Sequence, residues 1–219
     1  MLSDDKIGPE QPLDQRVYRY ILWQLLNGKI FPGMRLNEQE YSDLCKVSRS
    51  PVRSAIKQLA QEGLVDTQVS KGAMIRRLSI NEAEAVFSFR AELAKLAAEW
   101  CVRNITDIDI LELSTLIEEE KQYADKEDLV NILKVSRAFH LKIADVANNS
   151  WLKKSLSELL IHSSILHLYY GPTMKYPARS PMEHQALLEL LSAREGEQAG
   201  ELAREQVLDL GRRYIKTKY

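Results

Sequence analysis

The chain has 219 residues, 45% of them hydrophobic, with 30 Lys and Arg set against 31 Asp and Glu for a formal net charge of −1. That length supports one large or two small domains with enough apolar content for a packed core, and no apolar run approaches the roughly 20 residues of a membrane span. Near-neutrality argues against a polybasic protein, and the polar N-terminus lacks a signal-peptide apolar core, so a cytoplasmic location is expected.

Residues 1–11 are polar, carry Gly8 and Pro9, and read as a loose arm. A first helix is expected from about Leu13. Val17, Ile21 and Leu25, with Leu22, Trp23 and Leu26 beside them, form an apolar stripe up to Gly28, and Trp23 is assigned to the core. Phe31-Pro32-Gly33 turns the chain. Asn37 can cap a second helix with Tyr41 and Leu44 inward, and Val47-Ser48 makes a short turn in which Ser48 is the expected next cap. The third helix has Pro51 in its first turn, where a missing N–H costs nothing, and Gly63 at its end, where a left-handed residue is wanted. Val52, Ile56, Leu59 and Ala60 face the core, which leaves Arg49, Ser50, Arg53 and Lys57 on the outer face. Leu64–Thr67 and Ala73–Arg76 read as two strands joined through Val69-Ser70-Lys71-Gly72. The pattern over residues 12–78 is a winged helix-turn-helix.

Its chemistry suits a double helix of nucleic acid. Arg49 and Arg53 can each donate two hydrogen bonds to the O6 and N7 edge of guanine, whereas Ser50 and Lys57 suit phosphate. Gly72 allows close backbone approach, and Lys71 and Arg35 add cations at the wing and ahead of the second helix. Residues 1–79 hold 12 Lys/Arg and 9 Asp/Glu, a balance of +3, while residues 80–219 hold 18 and 22, a balance of −4. The basic excess therefore lies with the proposed reader, and affinity should fall as salt rises.

The run RLNEQEYSDLCKVSRSPVRSAIKQLAQEGLV resembles the DNA-binding domain of GntR-family bacterial transcription regulators, through its similarity to Val-Ser-Arg-Thr-Pro-Val-Arg-Glu-Ala-Leu followed by Leu-x-x-x-Gly-Leu-Val. The resemblance implies that Arg49, Ser50 and Arg53 face DNA from the recognition helix and that Lys71 and Gly72 approach it from the wing.

Beyond the connector Arg77-Leu78-Ser79, residues 79–219 read as helix throughout. Six segments are expected: Glu82 to about Asn104, Thr106 to about Ala124, Leu129 to about Ala147, Trp151 to about Tyr170, Pro181 to about Ala193 and Gln198 to about Lys216. Asn148-Asn149-Ser150, Gly171-Pro172 with Pro177, and Glu195-Gly196 supply breaks. The fold class is mainly α, a three-helix winged domain with a small hairpin followed by an all-α bundle. Cys45 and Cys101 lack metal-site spacing and are expected as two buried thiols.

This order resembles the FadR-like subgroup of the GntR family, whose C-terminal helical (FCD) domain senses a small molecule and dimerises. FSFRAELAKLAAEW, RAFHLKIADVANN and EHQALLELLSARE are similar to three of its segments. The resemblance implies an effector that is a carboxylate or sugar acid, and in many members a divalent metal held by one Asp and three His. His140 and His184 match two of those ligands, while Ser136 and Gln206 stand at the Asp and third His positions. Ser and Gln are poor metal ligands, so no cofactor is required and a divalent metal is doubtful. His162 could substitute for a ligand, or, like His167, bond to a neighbour on its own helix. His140 and His184 either donate hydrogen bonds to an anionic effector or pack in the core. Arg90 can grip a carboxylate in a bidentate manner, or pair with Glu84 or Glu92, and Tyr169 and Tyr170 either line the pocket or pack.

The expected partners are a double-stranded DNA operator, a small-molecule effector and a second copy of the chain, with no membrane. A short recognition helix reads few base pairs, whereas a twofold dimer reads a palindrome. The expectation is a repressor released by its effector; the alternative is an architectural DNA-binding protein whose helical domain only dimerises. A di-metal enzyme would need Glu-x-x-His pairs on facing helices, and Glu183-His184 are adjacent. No nucleophile motif or phosphate-binding glycine loop is present, so catalysis is not expected.

Overall fold

The computed structural model describes residues 11–68, 72–170 and 176–216, and the chain divides into two compact units, 1–78 and 79–219. In the first unit, α1 (Leu13–Leu26), β1 (Arg35–Leu36), α2 (Glu38–Cys45) and α3 (Arg49–Gln61) precede β2 (Val65–Gln68) and β3 (Gly72–Ile75). The sheet is antiparallel in the order β1-β3-β2, with Arg35 opposite Met74 and Val65 opposite Ile75. β1 is a third strand beside the expected hairpin, too short to carry an alternating pattern.

Val17, Ile21 and Leu25 of α1 pack with Val52, Ala55, Ile56 and Leu59 of α3, all buried. Asn37 caps α2, its side chain accepting from the Gln39 and Glu40 amides. Lys46 takes a left-handed φ of 54° in the turn, and Ser42 donates to the Val47 carbonyl. Ser48 stands at the start of α3 with extended backbone, but its side chain makes no capping bond. Gly63 has φ +71°, the left-handed conformation wanted after a helix end.

Three core assignments differ from expectation. Trp23 is 43% exposed and stacks on Tyr20 (centroids 6.2 Å apart), because the buried stripe of α1 is the narrower Val17–Ile21–Leu25 line. Leu44 is also exposed, since α2 buries Tyr41 and Ser42 instead. Cys45 is half-buried, while Cys101 is fully buried, which pushes its thiol up to about 12.

The second unit is all-helical: α4 (Ile80–Cys101), α5 (Asp107–Ala124), α6 (Leu129–Val146), α7 (Ser150–Tyr170), α8 (Tyr176–Ser192) and α9 (Gly196–Lys216). Capping boxes start α4 (Ser79 with Glu82) and α5 (Thr106 with Asp109). Asn149 caps α7 by accepting from the Trp151 and Leu152 amides. Arg194 donates to the Val102 and Ile105 carbonyls, both at 2.8 Å, satisfying oxygens beyond the end of α4. α8 begins before Pro181, which lies inside the helix rather than at its start. Pro181 is the sixth residue of α8, past the four N–H groups that lack intrahelical partners, so the helix forgoes one backbone bond there.

α4 and α9 pack closely because α9 presents glycine to α4: a Cβ on Gly211 would lie 2.8 Å from Phe87 Cβ, and one on Gly200 would lie 2.6 Å from Glu99 Cγ. The described core includes Phe87, Leu113, Ile117, Ile132, Phe139, Leu156, Leu166, Leu187 and Leu191. No helix of the described residues is long and apolar enough to cross a membrane.

Candidate nucleic-acid interface and buried polar site

In the winged unit, α3 turns Val52, Ala55, Ile56 and Leu59 inward and leaves Arg49, Ser50, Arg53 and Lys57 exposed. The two arginines are held from α2. Arg49 donates from Nε (2.8 Å) and Nη2 (2.5 Å) to Gln39 Oε1, and Arg53 Nε donates to Glu38 Oε2 at 2.8 Å. Arg35 is exposed on β1, and Gly72 is exposed with φ +76° and open space where a Cβ would be. Lys71 lies outside the described residues. A guanidinium pair, a hydroxyl and an ammonium along one exposed helical face can contact base edges and phosphates.

The helical unit holds polar groups in its interior. Glu120 on α5, only 1% exposed, accepts from His184 Nδ1 on α8 at 2.6 Å through Oε2 and from Ser180 Oγ at 2.8 Å through Oε1. The His184 ring stacks on Phe139 (4.3 Å between centroids) and meets His140 edge-on at 5.0 Å. His140 is half-buried, and burial, with His184 and Arg90 nearby, holds its imidazole well below the usual range, so it is neutral at pH 7. Arg90 on α4 is buried and donates from Nη1 to Ser163 Oγ at 3.1 Å. His167 Nδ1 donates to the Ser163 carbonyl at 2.7 Å, which fixes the proton on that nitrogen. Burial pulls the His167 pKa down to about 4, with Arg90 and Arg213 adding to the fall against the Ser163 bond.

Ser136 is buried on α6, and Gln206 donates from its amide to the Glu183 carbonyl at 2.8 Å, tying α9 to α8. His162 is half-buried on α7. Glu92, offered with Glu84 as a partner for Arg90, accepts from Arg204 at 2.7 Å. Tyr169 is half-buried, and the Tyr170 side chain lies outside the described residues. The metal implied by resemblance does not fit this donor set. A serine hydroxyl and an engaged amide replace two ligands, both Glu120 oxygens are occupied, and among the described residues no group of three or more His, Cys, Asp or Glu is placed to hold a metal.

Sequence reading missed Glu120, Ser163 and Ser180. Glu120 continues the buried line Leu113–Ile117 at helical spacing, a signal hidden by the two glutamates before it.

Residues 13–75 match the bacterial regulatory proteins of the gntR family, and residues 85–208, more than half the chain, match the FCD domain. The chain belongs to the GntR family. This GntR-family chain is a transcriptional regulator with a helix-turn-helix DNA-binding domain and an FCD effector domain, not an enzyme. It is 27% identical over 173 residues to the HTH-type transcriptional regulator YdhC of Bacillus subtilis, covering 78% of this chain and 77% of YdhC. It is 24% identical over 148 residues to the HTH-type transcriptional repressor RspR of Escherichia coli, covering 68% of this chain and 65% of RspR. The fold is shared with Escherichia coli McbR/YncC, with a TM-score of 0.79, 24% identity, and coverage of 93% of this chain and 99% of that one.

Proposed function

We propose that this regulator is a cytoplasmic homodimeric repressor that leaves a palindromic operator when a small carboxylate or sugar acid binds its helical domain. The observation that carries the reading is the interior set Arg90, His140, Ser163 and the Glu120–His184 pair, polar groups gathered inside a largely apolar bundle. Buried polar groups are costly unless satisfied, and a site of this kind is where an anionic ligand finds charge-assisted hydrogen bonds. Arg90 is the carboxylate anchor, His140 is the imidazole donor beside it, His184 is held against that site by Glu120, and Ser136, Gln206 and His162 complete the candidate set. Arg49, Ser50, Arg53 and Lys57, with Arg35, Lys71 and Gly72 at the wing, contact the operator. The repressor name of RspR supports reading the DNA-bound form as one that represses. The effector acts by binding the released arrangement more tightly than the operator-bound one.

The test is a panel of small carboxylates and sugar acids screened by thermal shift, with the active compounds then titrated into a complex with DNA selected by the protein. A compound that raises Tm should also lower DNA retention, and His140→Ala with His184→Ala should keep DNA binding while blunting that response. An unaltered dose response in the double variant places the pocket elsewhere; a panel without a single stabilising compound favours the architectural alternative.

A further inference from the structure

The DNA-facing arginines of α3 do not stand alone, and one of them is braced through two residues of α2. Asn37 Oδ1 accepts from the Gln39 amide at 2.9 Å, which fixes the backbone at the start of α2. Gln39 Nε2 then donates to Asp43 Oδ1 at 2.8 Å, one helical turn on. That bond sets which way the amide faces: nitrogen to Asp43, oxygen to Arg49. Gln39 Oε1 takes both the Nε and the Nη2 hydrogens of Arg49, occupying one side of the guanidinium and leaving the Nη1–Nη2 end as a planar fork. From this relay we infer that Gln39, oriented by Asp43, is a positioning residue that presents the Arg49 fork to the operator and thereby sets base preference at the position Arg49 reads.

Three physical points carry the inference. An exposed arginine has many rotamers, and the ordering of such a side chain must otherwise be supplied by the complex. A bidentate pair with the O6 and N7 edge of guanine needs the fork in a fixed plane, so preorganisation sharpens discrimination as well as affinity. The Gln39 amide is engaged at both its oxygen and its nitrogen within the protein, so it acts on DNA through Arg49. Glu38 holds Arg53 with a carboxylate, whereas Gln39 holds Arg49 without adding a negative charge beside the phosphates.

The inference rests on Arg49 as a base reader, and the experiment separates the two. Wild-type protein selects its preferred duplex from a randomised pool, and binding of that duplex and of its single-base variants is measured for Gln39→Ala, Arg49→Ala and the double variant, with Tm as the folding control. Gln39→Ala should lose about three- to tenfold in affinity and relax preference at one operator position per half-site, with Tm unchanged. The double variant should bind no more weakly than Arg49→Ala, because the brace has nothing left to hold. Unchanged affinity and preference in Gln39→Ala overturn the inference while leaving Arg49 as a reader. An equal loss from Gln39→Ala in the Arg49→Ala background also overturns it, by showing that Gln39 touches DNA on its own. An Arg49→Ala variant indistinguishable from wild type overturns both the reader and the brace.

Discussion

At the scale of single residues, the exposed pair Arg53–Glu38 sets attraction against repulsion on the proposed DNA-contacting side of the winged unit. The bond is short at 2.8 Å, but Arg53 is largely exposed, so the pair contributes little to folding, typically under about 1 kcal/mol. Its weight falls on binding: the carboxylate shields Arg53 and repels phosphate without regard to sequence. Glu38→Gln should therefore raise affinity for random-sequence DNA by a few-fold at low salt and narrow the ratio of operator to random binding. Filter binding against both DNAs at two salt concentrations checks this, and an unchanged affinity for random DNA would remove Glu38 from the interface. In the helical unit, Glu120 is buried with a partner on each of its two oxygens, His184 and Ser180, the condition under which a buried polar group is tolerated.

At the scale of elements, the contact between α4 and α9 depends on two side chains that are absent. Alanine at Gly211 would gain about 1 kcal/mol in helix propensity, yet its methyl would fall 2.8 Å from Phe87 Cβ, an atom fixed to the α4 backbone. Overpacking of that kind costs about 1–3 kcal/mol, so Gly211→Ala should be destabilising on balance, read as a lower urea midpoint with the same slope. A midpoint at or above that of the wild type would mean that α9 can move away from α4. The helices were legible from sequence because apolar residues recur at helical spacing and because a cap such as Asn37 marks a start, whereas Ser79, read as connector, caps a helix that begins at Ile80. The rest failed for identifiable reasons. β1 has two residues and no pattern, α8 runs back past Pro181 although a proline there removes a backbone bond, and Trp23 lies just off the buried line of α1. The exposed arginines of α3 followed from its buried stripe, but their partners Glu38 and Gln39 come from another helix and depend on tertiary geometry.

At the scale of the whole molecule, the buried histidines make stability depend on pH with a definite sign. His167 is neutral in the fold, its pKa pulled from an ordinary 6.5 to about 4, and His140 is shifted in the same direction. Above pH 6.5 neither histidine affects the balance. Below it the unfolded chain takes up protons that the fold refuses, so stability falls by about 1.4 kcal/mol per pH unit for His167 until about pH 4. Urea unfolding at pH 7.5 and pH 5 should show the loss, and His167→Asn should flatten it by removing the titrating ring; an equal pH dependence in the variant would assign the effect to other groups. The winged unit has a different global property, which follows from its strand order. β3 lies between β1 and β2, and β1 pairs with nothing else in the sheet. The loop that this pairing closes contains all of α2 and α3. On a ribosome, then, α3 is made well before the strand that ties its surroundings together, and the sheet has no centre until Ile75 has been added. A nascent chain halted before that residue carries the exposed arginines of α3 without the sheet built around β3.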